Sequence, residues 1–212
     1  MRSYKNNHRR CCFMARKKEY IATLYKRDDD TLKALGRTGY YDADMIKENF
    51  NQSDRRITNM CRDGYLVKED TMRGTFYKLG DKGKDYVEKE FGIKCYPAQS
   101  PNHDMELSRK YCSLSEDARE TWRTELEVRQ DVYNYMNDLR DKGDFAKANE
   151  IEQGLKDGTM SMPDCKYTIV TEEGVQREIY YEVVTSNYSE ADIQAKESIS
   201  VVTNIKIEYS EV

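Results

Sequence analysis

The stretch NQSDRRITNMCRDGYLVKEDTMRGTFYKL, residues 51–79, decides the fold of the first half of this chain. Ser53 is a favoured helix N-cap, and Ile57 and Met60 follow it at helical spacing. Gly64 suits the left-handed position that commonly follows the last residue of a helix. The stretch therefore predicts a polar, basic helix that ends just before Gly64.

The second part of the stretch predicts a β-hairpin. Residues 65–67 (YLV) and 75–77 (TFY) are rich in β-branched and aromatic side chains, and a charged segment containing Gly74 separates them. This pattern is typical of two strands joined by a loose tip, with Arg73 at the tip. A basic helix followed by such a hairpin is typical of a unit that reads DNA.

The surrounding sequence extends this pattern to a small domain. Short helices are predicted over residues 19–25, around Leu35 and over 43–50, and a further helix over 80–91. The run CRDGYLVKED at 61–70, continued by FYKLGDKGKDYV, resembles the segment from recognition helix to wing in winged helix-turn-helix proteins. The resemblance covers residues 29–91 and implies double-stranded DNA as the partner.

The predicted helix and hairpin carry side chains suited to DNA. Arginine and asparagine can form paired hydrogen bonds with base edges, and serine and arginine can contact phosphates. The candidate nucleic-acid-binding residues are Ser53, Arg55, Arg56, Asn59, Arg62 and Arg73. The alternative is that these side chains solvate a helix in a protein-binding module, because winged helices also serve that purpose.

Composition limits the class of protein. With 212 residues the chain suits two small domains, and its mean hydropathy of −0.95 with 38% apolar residues describes a polar protein that can still build a core. No segment reaches the length of a membrane span, and the N-terminus lacks the apolar core of a signal peptide, so we expect a cytoplasmic protein. Six cysteines without a CxxC pair, and two histidines, favour neither a zinc site nor a disulfide framework.

Charge divides the chain into two unlike halves. Residues 1–92 hold 21 Lys and Arg against 15 Asp and Glu, a net charge of +6, whereas residues 93–212 hold 14 against 24, a net charge of −10. Residues 1–18 contain seven basic and no acidic residues, which predicts either an arm that follows a phosphate backbone or a solubilising tail; Met14 is an alternative start. The basic half favours a nucleic acid, and the acidic half favours a different partner.

Beyond a linker predicted over residues 93–105, which contains two of the three prolines, the sequence predicts an α/β unit. The predicted helices span 105–112, 115–142, 144–156 and 189–198, and the predicted strands span 166–171, 175–185 and 199–209. The expected inner face of the long helix consists of Ala118, Trp122, Leu126, Val132 or Tyr133, Met136 and Leu139. Four segments result: the arm 1–18, a winged helix-turn-helix 19–92, the linker 93–105 and an α/β domain 106–212.

The order of acidic residues along the predicted α/β domain resembles a known motif. Pro163-Asp164, a hairpin and then Glu182 in an apolar strand resemble the PD-(D/E)xK restriction-endonuclease-like fold, and Glu125 lies where that fold often places a further acid. The resemblance implies that Asp164 and Glu182 hold Mg²⁺, and that a lysine activates the attacking water. The sequence departs from the motif because Val184 occupies the lysine position. Lys196, and as an alternative Lys166, are the candidate substitutes.

The combination of features is similar to one known family. The winged helix, His103-Asp104, the Trp122 to Glu125 spacing, Pro163-Asp164 and Glu182 together resemble the replication-relaxation family of plasmids and conjugative elements over residues 29–185. This resemblance implies a DNA-binding accessory protein of a plasmid, phage or conjugative element, with a degenerate nuclease-like domain.

Other functions remain open at this point. The acidic half suits an inhibitor of the anti-restriction or anti-CRISPR type, which would bind a basic host nuclease or its guide RNA. An active Mg²⁺-dependent nuclease on DNA or RNA, with Glu125, Asp164, Glu182 and Lys196 as catalytic residues, is the second alternative. Under the simplest interpretation, Asp164 is an ordinary turn residue, Glu182 belongs to an alternating strand and His103 is a linker residue.

Overall fold

The structure is a computed structural model that describes residues 18–212. The basic arm predicted over residues 1–18 therefore lies outside the described residues except for Lys18. The described chain is a mixed α+β protein with nine helices and two sheets. Its first half contains, in order, α1 (Lys26–Thr38), β1 (Tyr41–Asp42), α2 (Ala43–Phe50), α3 (Asp54–Asp63), β2 (Leu66–Thr71), β3 (Gly74–Leu79) and α4 (Asp81–Phe91). Its second half contains α5 (Pro101–Ser113), α6 (Glu116–Glu120), β4 (Arg123–Thr124), α7 (Glu125–Asp141), α8 (Phe145–Asp157), β5 (Cys165–Val170), β6 (Gln176–Val184), α9 (Glu190–Thr203) and β7 (Lys206–Glu211).

The helix predicted before Gly64 is present as α3. The Ser53 hydroxyl caps it by accepting a hydrogen bond from the backbone N–H of Arg56, and Gly64 follows it in the left-handed conformation, with φ of 83°. Ile57 and Met60 are buried, so the apolar spacing faces the core as predicted. The opposite face of α3 is polar.

The hairpin has a tighter tip than the sequence indicates. β2 and β3 pair antiparallel from Leu66 opposite Leu79 to Thr71 opposite Gly74, so only Met72 and Arg73 connect the strands. Pairing continues through the charged residues because one strand face is exposed, where polar side chains cost little. The short strand β1 pairs with β3 on its other side and completes a three-stranded sheet.

The second sheet has the order β4-β5-β6-β7. β5 pairs antiparallel with β4 and β6, whereas β6 and β7 pair in parallel, with α9 as the crossover between them. A parallel pair requires such a long connection, which explains why a helix lies between two neighbouring strands. α7 and α8 pack against each other beside this sheet.

The long helix predicted over residues 115–142 is divided into α6, β4 and α7. Thr124 and Glu127 form a capping box that starts a new helix, and this local signal outweighs the continuous apolar spacing. Leu126, which was expected on the inner face, is exposed, and of the alternatives Val132 and Tyr133 the buried one is Val132. Val128 takes a buried position that the uninterrupted helix did not assign.

The predicted linker, residues 93–105, packs into the protein. Ile93 and Tyr96 are buried, and the backbone N–H of Tyr96 donates to the carbonyl oxygen of Gly36 at the end of α1. Pro101 begins α5 because the first helical position needs no N–H donor and fits the fixed φ of proline. Proline here indicates the start of a helix, and the segment ties the two halves together.

One apolar core extends across both halves. It includes Leu32, Leu35 and Met60 from the first half together with Trp122 and Tyr167 from the second. Trp122 stacks on Tyr167, with ring centroids 5.9 Å apart and an angle of 11° between the ring planes. The two halves are therefore joined by packing as well as by the chain.

Two further segments differ from the prediction. Residues 19–25 are not helical, because the Asp63 carboxylate accepts hydrogen bonds from the backbone N–H groups of Tyr20 and Ile21 and holds the segment in another conformation. The strand predicted from residue 199 begins only at Lys206, because α9 continues to Thr203. Within residues 18–212, none of the helices combines the length and the apolar character needed to cross a membrane.

Candidate functional site

The first candidate surface is the exposed face of α3. Arg55, Asn59 and Arg62 lie at helical spacing on this face, and Arg55 and Arg62 are exposed. Lys18 and Tyr20 border the same shallow depression of about 490 Å³. The guanidinium of Arg62 lies 5.0 Å from the centre of the Tyr20 ring, which restricts its orientation. These cations point into solvent together.

Arg56 differs from its neighbours because it is engaged within the protein. Its guanidinium lies 2.6 Å from a carboxylate oxygen of Asp28, a side chain with no exposed surface, and also donates to the carbonyl oxygen of Thr23. Arg56 keeps only 16% of its side-chain surface exposed. This arrangement joins α3 to α1 through Arg56, and a contact of Arg56 with DNA stays a prediction.

The hairpin presents Arg73 at its tip. Thr71 accepts a hydrogen bond from the backbone N–H of Arg73 and fixes the turn, and the neighbouring Met72 is fully exposed. Along the strands the charges pair with each other, since Lys68 lies 3.1 Å from Asp70 and Lys78 lies 2.8 Å from Glu69. The hairpin tip therefore carries a cation beyond a strand region whose charges are compensated.

The second candidate site lies in the other half of the chain, where Asp164, Glu182 and Lys196 come together. The backbone N–H of Asp164 donates to Oε2 of Glu182 at 2.9 Å, and Lys196 Nζ lies 2.7 Å from Oε1 of Glu182. The backbone N–H of Val183 donates to Oδ2 of Asp164 at 2.8 Å. Antiparallel pairing of β5 with β6 produces this proximity, because Cys165 is opposite Tyr181.

The alternative lysine, Lys166, does not belong to this cluster. Its Nζ lies 2.7 Å from a carboxylate oxygen of Glu178 and 3.0 Å from one of Asp131. Lys166 is two positions after Asp164, but its neighbours are Glu178 on β6 and Asp131 on α7. Of the two candidate substitutes, Lys196 is the one that contacts the strand glutamate.

A histidine from α5 completes the cluster. Nε2 of His103 lies 3.0 Å from Oδ2 of Asp164, and Nδ1 lies 3.1 Å from Oδ1 of Asp104. Asp104 is fully buried and also accepts hydrogen bonds from the Tyr96 hydroxyl and the backbone N–H of Gln99. Both ring nitrogens of His103 therefore face carboxylate oxygens, which only accept, so the geometry favours an imidazolium that donates to both.

Burial and neighbouring charges shift the pKa values of groups in this cluster. Burial by itself would lower the pKa of His103, but the hydrogen bonds to Asp104 and Asp164 outweigh it and raise the pKa to about 10. Burial and the nearby Asp164 carboxylate raise the pKa of Glu182, an effect that Lys196 opposes. Burial also raises the pKa of Tyr188, whose hydroxyl donates to Oε1 of Glu182 at 2.6 Å.

The cluster lies on the wall of a cavity of about 1160 Å³. One wall is formed by one face of α7, which begins with Glu125, and Oε1 of Glu125 accepts a hydrogen bond from Arg129 at 2.7 Å. Asp164, His103 and Lys196 also line the cavity, as does the segment of residues 185–188. Glu125 is thus on the same cavity as Asp164, but it pairs with Arg129.

The contacts of Glu182 bear on whether Asp164 and Glu182 can hold Mg²⁺. Glu182 has no exposed surface, and both of its oxygens accept bonds from protein groups, namely Lys196, Tyr188 and the backbone of Asp164. A metal ion at Asp164 and Glu182 would require Lys196 and Tyr188 to release the glutamate. Within residues 18–212 no group of three or more His, Cys, Asp or Glu side chains is arranged to hold a metal ion. As arranged, both oxygens of Glu182 are therefore occupied by protein donors, and Mg²⁺ at Asp164 and Glu182 stays a prediction.

Sequence reasoning missed the connection between His103 and Asp164. The two residues are 61 positions apart, and the linker composition around His103 predicted a surface role. The adjacent pair His103-Asp104, at the start of an amphipathic helix, was the available signal. Tyr188 and the α7 arginines were also missed, because a cavity depends on how separate elements pack.

Comparison of the chain with models of protein families, with curated proteins and with solved structures found no match. The resemblances to winged helix-turn-helix proteins, to restriction-endonuclease-like domains and to the replication-relaxation family stay predictions.

Proposed function

We propose that this protein binds double-stranded DNA through α3 and the tip of the β2–β3 hairpin. In this proposal residues 19–92 form a winged helix-turn-helix, with α3 in the major groove and Arg73 on the backbone beside it. Ser53, Arg55, Asn59 and Arg62 are the proposed contact residues on α3. Arg56 holds α3 in place.

The observation that carries the proposal is the exposed basic face of α3. Arg55 and Arg62 extend from the side of the helix opposite the buried Ile57 and Met60, with Asn59 between them. Arginine and asparagine are the residues that most often read guanine and adenine in the major groove. The order of helices and strands in residues 26–91, with β1 added to the hairpin, supports the same proposal.

The proposal extends to the setting in which the protein acts. We propose an accessory role at the DNA of a plasmid, phage or conjugative element, as the similarity to the replication-relaxation family implies. The net charge of +6 over residues 1–92 supports attraction to phosphates; it comes from residues 1–18, which hold seven basic and no acidic residues, while residues 93–212, with a net charge of −10, are repelled by DNA.

Salt-dependent binding tests the proposal. The full chain, titrated into a labelled duplex and followed by fluorescence anisotropy, should bind with an affinity that falls as the salt concentration rises. The logarithm of affinity should fall linearly with the logarithm of salt, with a slope set by the number of phosphates contacted. The absence of duplex binding at low salt would refute the proposal.

A second candidate function is hydrolysis of a nucleic acid at the cavity. The specific observation is that Asp164, Glu182 and Lys196 meet beside a cavity that also contains Glu125. The proposal of a Mg²⁺-dependent nuclease requires Glu182 to be released by Lys196 and Tyr188 on substrate binding. Cleavage of DNA or RNA that depends on Mg²⁺ and disappears in Asp164→Asn would support it, and the same cleavage by Asp164→Asn would reject it.

A further inference from the structure

The face of α7 that lines the cavity combines cations with an exposed aromatic ring. Residues at helical spacing along this face all line the cavity: Glu125, Arg129, Tyr133, Met136 and Arg140. Arg129 and Arg140 are 11 residues apart, which corresponds to about 16 Å along a helix axis. The stripe is therefore longer than a single nucleotide.

The two arginines keep binding capacity although each forms an ion pair. Arg129 donates through one terminal nitrogen to Glu125, and Arg140 pairs with Glu152 on α8. Their side chains remain 46% and 31% exposed, respectively. Because a guanidinium has five N–H donors in a planar fork, each arginine can keep its carboxylate and still donate to a phosphate.

Tyr133 lies between these arginines. It is 43% exposed and lines the cavity, whereas the neighbouring Val132 takes the buried position. Single-stranded nucleic acids are commonly held by cations that follow the backbone and by aromatic rings on which bases stack. The alternation of Arg129, Tyr133 and Arg140 matches that pattern.

The other walls suit a polar, chain-like ligand. Lys156 from α8 adds a further cation, which lies 2.7 Å from a carboxylate oxygen of Glu152 and keeps 64% of its side chain exposed. The rim carries amide and hydroxyl groups able to donate and accept hydrogen bonds. These rim residues are Gln99, Ser100, Asn102, Ser161, Ser186 and Asn187. The cavity volume of about 1160 Å³ is above the range of about 300–1,000 Å³ typical of small-molecule sites.

We propose that this cavity binds a single-stranded segment of nucleic acid, with phosphates at Arg129, Arg140 and Lys156 and a base on Tyr133. This binding is separate from the duplex binding proposed for α3. The single strand is also the substrate that the second candidate function would cleave, but its binding does not require cleavage. An acidic peptide could also meet the arginines, but it would make no use of the Tyr133 ring.

The test compares variants of the full chain in anisotropy titrations with a labelled oligothymidine, at low salt and with a chelator that prevents metal-dependent cleavage. Tyr133→Ala should weaken binding about fivefold or more, whereas Tyr133→Phe should retain it, because only the ring is needed for stacking. Arg129→Gln combined with Arg140→Gln should also weaken binding. Lys142→Gln is the matched control, since Lys142 is exposed at the end of α7 but does not line the cavity.

Several results would overturn the proposal. Equal binding by Tyr133→Ala and the unchanged protein would do so, as would a fully effective competition by poly-glutamate. If Arg55→Gln and Arg62→Gln weaken oligothymidine binding but the α7 variants do not, the single-stranded nucleic acid binds at α3 and not in the cavity. Duplex binding is measured in the same preparations, so failure of the cavity proposal can be told from failure of the α3 proposal. Circular dichroism confirms that each variant is folded.

Discussion

Nε2 of His103, near the start of α5, lies 3.0 Å from Oδ2 of Asp164, immediately before β5. The same ring contacts Asp104 through Nδ1, so one imidazolium joins two carboxylates at the boundary between the halves of the protein. This contact links the segment once expected to be a linker to the wall of the cavity. It also makes stability depend on pH in a defined direction.

The first prediction concerns that dependence. The pKa of His103 is raised to about 10 in the folded protein, above the ordinary value of 6.5, so the folded chain holds this proton more tightly than the unfolded chain. The stabilisation is complete below pH 6.5 and is lost as pH rises through about 10. Urea unfolding at pH 7 and pH 10.5 should show His103→Gln much less stable than the unchanged protein at pH 7, with a smaller difference at pH 10.5. An equal difference at both pH values would contradict the ion-pair account.

The second prediction concerns Gly39, which follows α1. Its φ is 98°, a conformation that side chains rarely adopt, and a Cβ at this position would overlap the carboxylate of Asp104. Gly39→Ala should therefore lower the free energy of unfolding by more than the cost of backbone strain. Gly143→Ala is the matched control, because Gly143 has φ of 84° but open space around it, and its cost should be about 1–2 kcal/mol. Similar losses for both variants would show that the Asp104 contact is unimportant.

The third prediction separates two adjacent arginines. Arg56→Gln leaves the buried Asp28 carboxylate without its cation, and breaking such a pair costs about 3–5 kcal/mol. Arg55→Gln changes an exposed side chain and should alter stability by no more than about 0.5 kcal/mol. Chemical unfolding of the two variants measures the difference. A neutral Arg56→Gln would show that α3 does not depend on Asp28.

The fourth prediction follows from the shared core. Because Trp122 packs against Tyr111 and Tyr167 in a cluster that also includes Leu32 and Met60, the two halves should unfold together. Trp122 is the only tryptophan, so its fluorescence reports on the junction, while far-ultraviolet circular dichroism reports on all helices. The two unfolding curves should coincide. Separate midpoints would indicate two independent domains.

Much of the local structure was predictable from short-range signals. The Ser53 cap and Gly64 defined α3, and the apolar spacing over 144–156 and the strand composition around Ile179 predicted α8 and β6. These features depend on residues within a few positions of each other. The α+β class and the order of most elements follow from them.

What the sequence did not reveal depends on packing over long distances. The capping box at Thr124 divides the long predicted helix, and the cavity beside Tyr133 is formed by segments far apart in the sequence. The proximity of Asp164, Glu182 and Lys196 was anticipated through a resemblance, but the bonds that occupy both oxygens of Glu182 depend on Tyr188 and on α9. The partner of Arg56 lies 28 positions earlier, which no local pattern indicates.

The measurement that tests the central claim most directly compares duplex DNA binding by the full chain with that of Arg55→Gln combined with Arg62→Gln. Both side chains are exposed on α3, so the double variant should fold normally, bind the duplex at least about tenfold more weakly, and show a shallower dependence on salt. Lys89→Gln combined with Lys206→Gln, two exposed cations away from α3, should bind like the unchanged protein. Equal binding by the α3 variant and the unchanged protein, with the same salt dependence, would contradict the account.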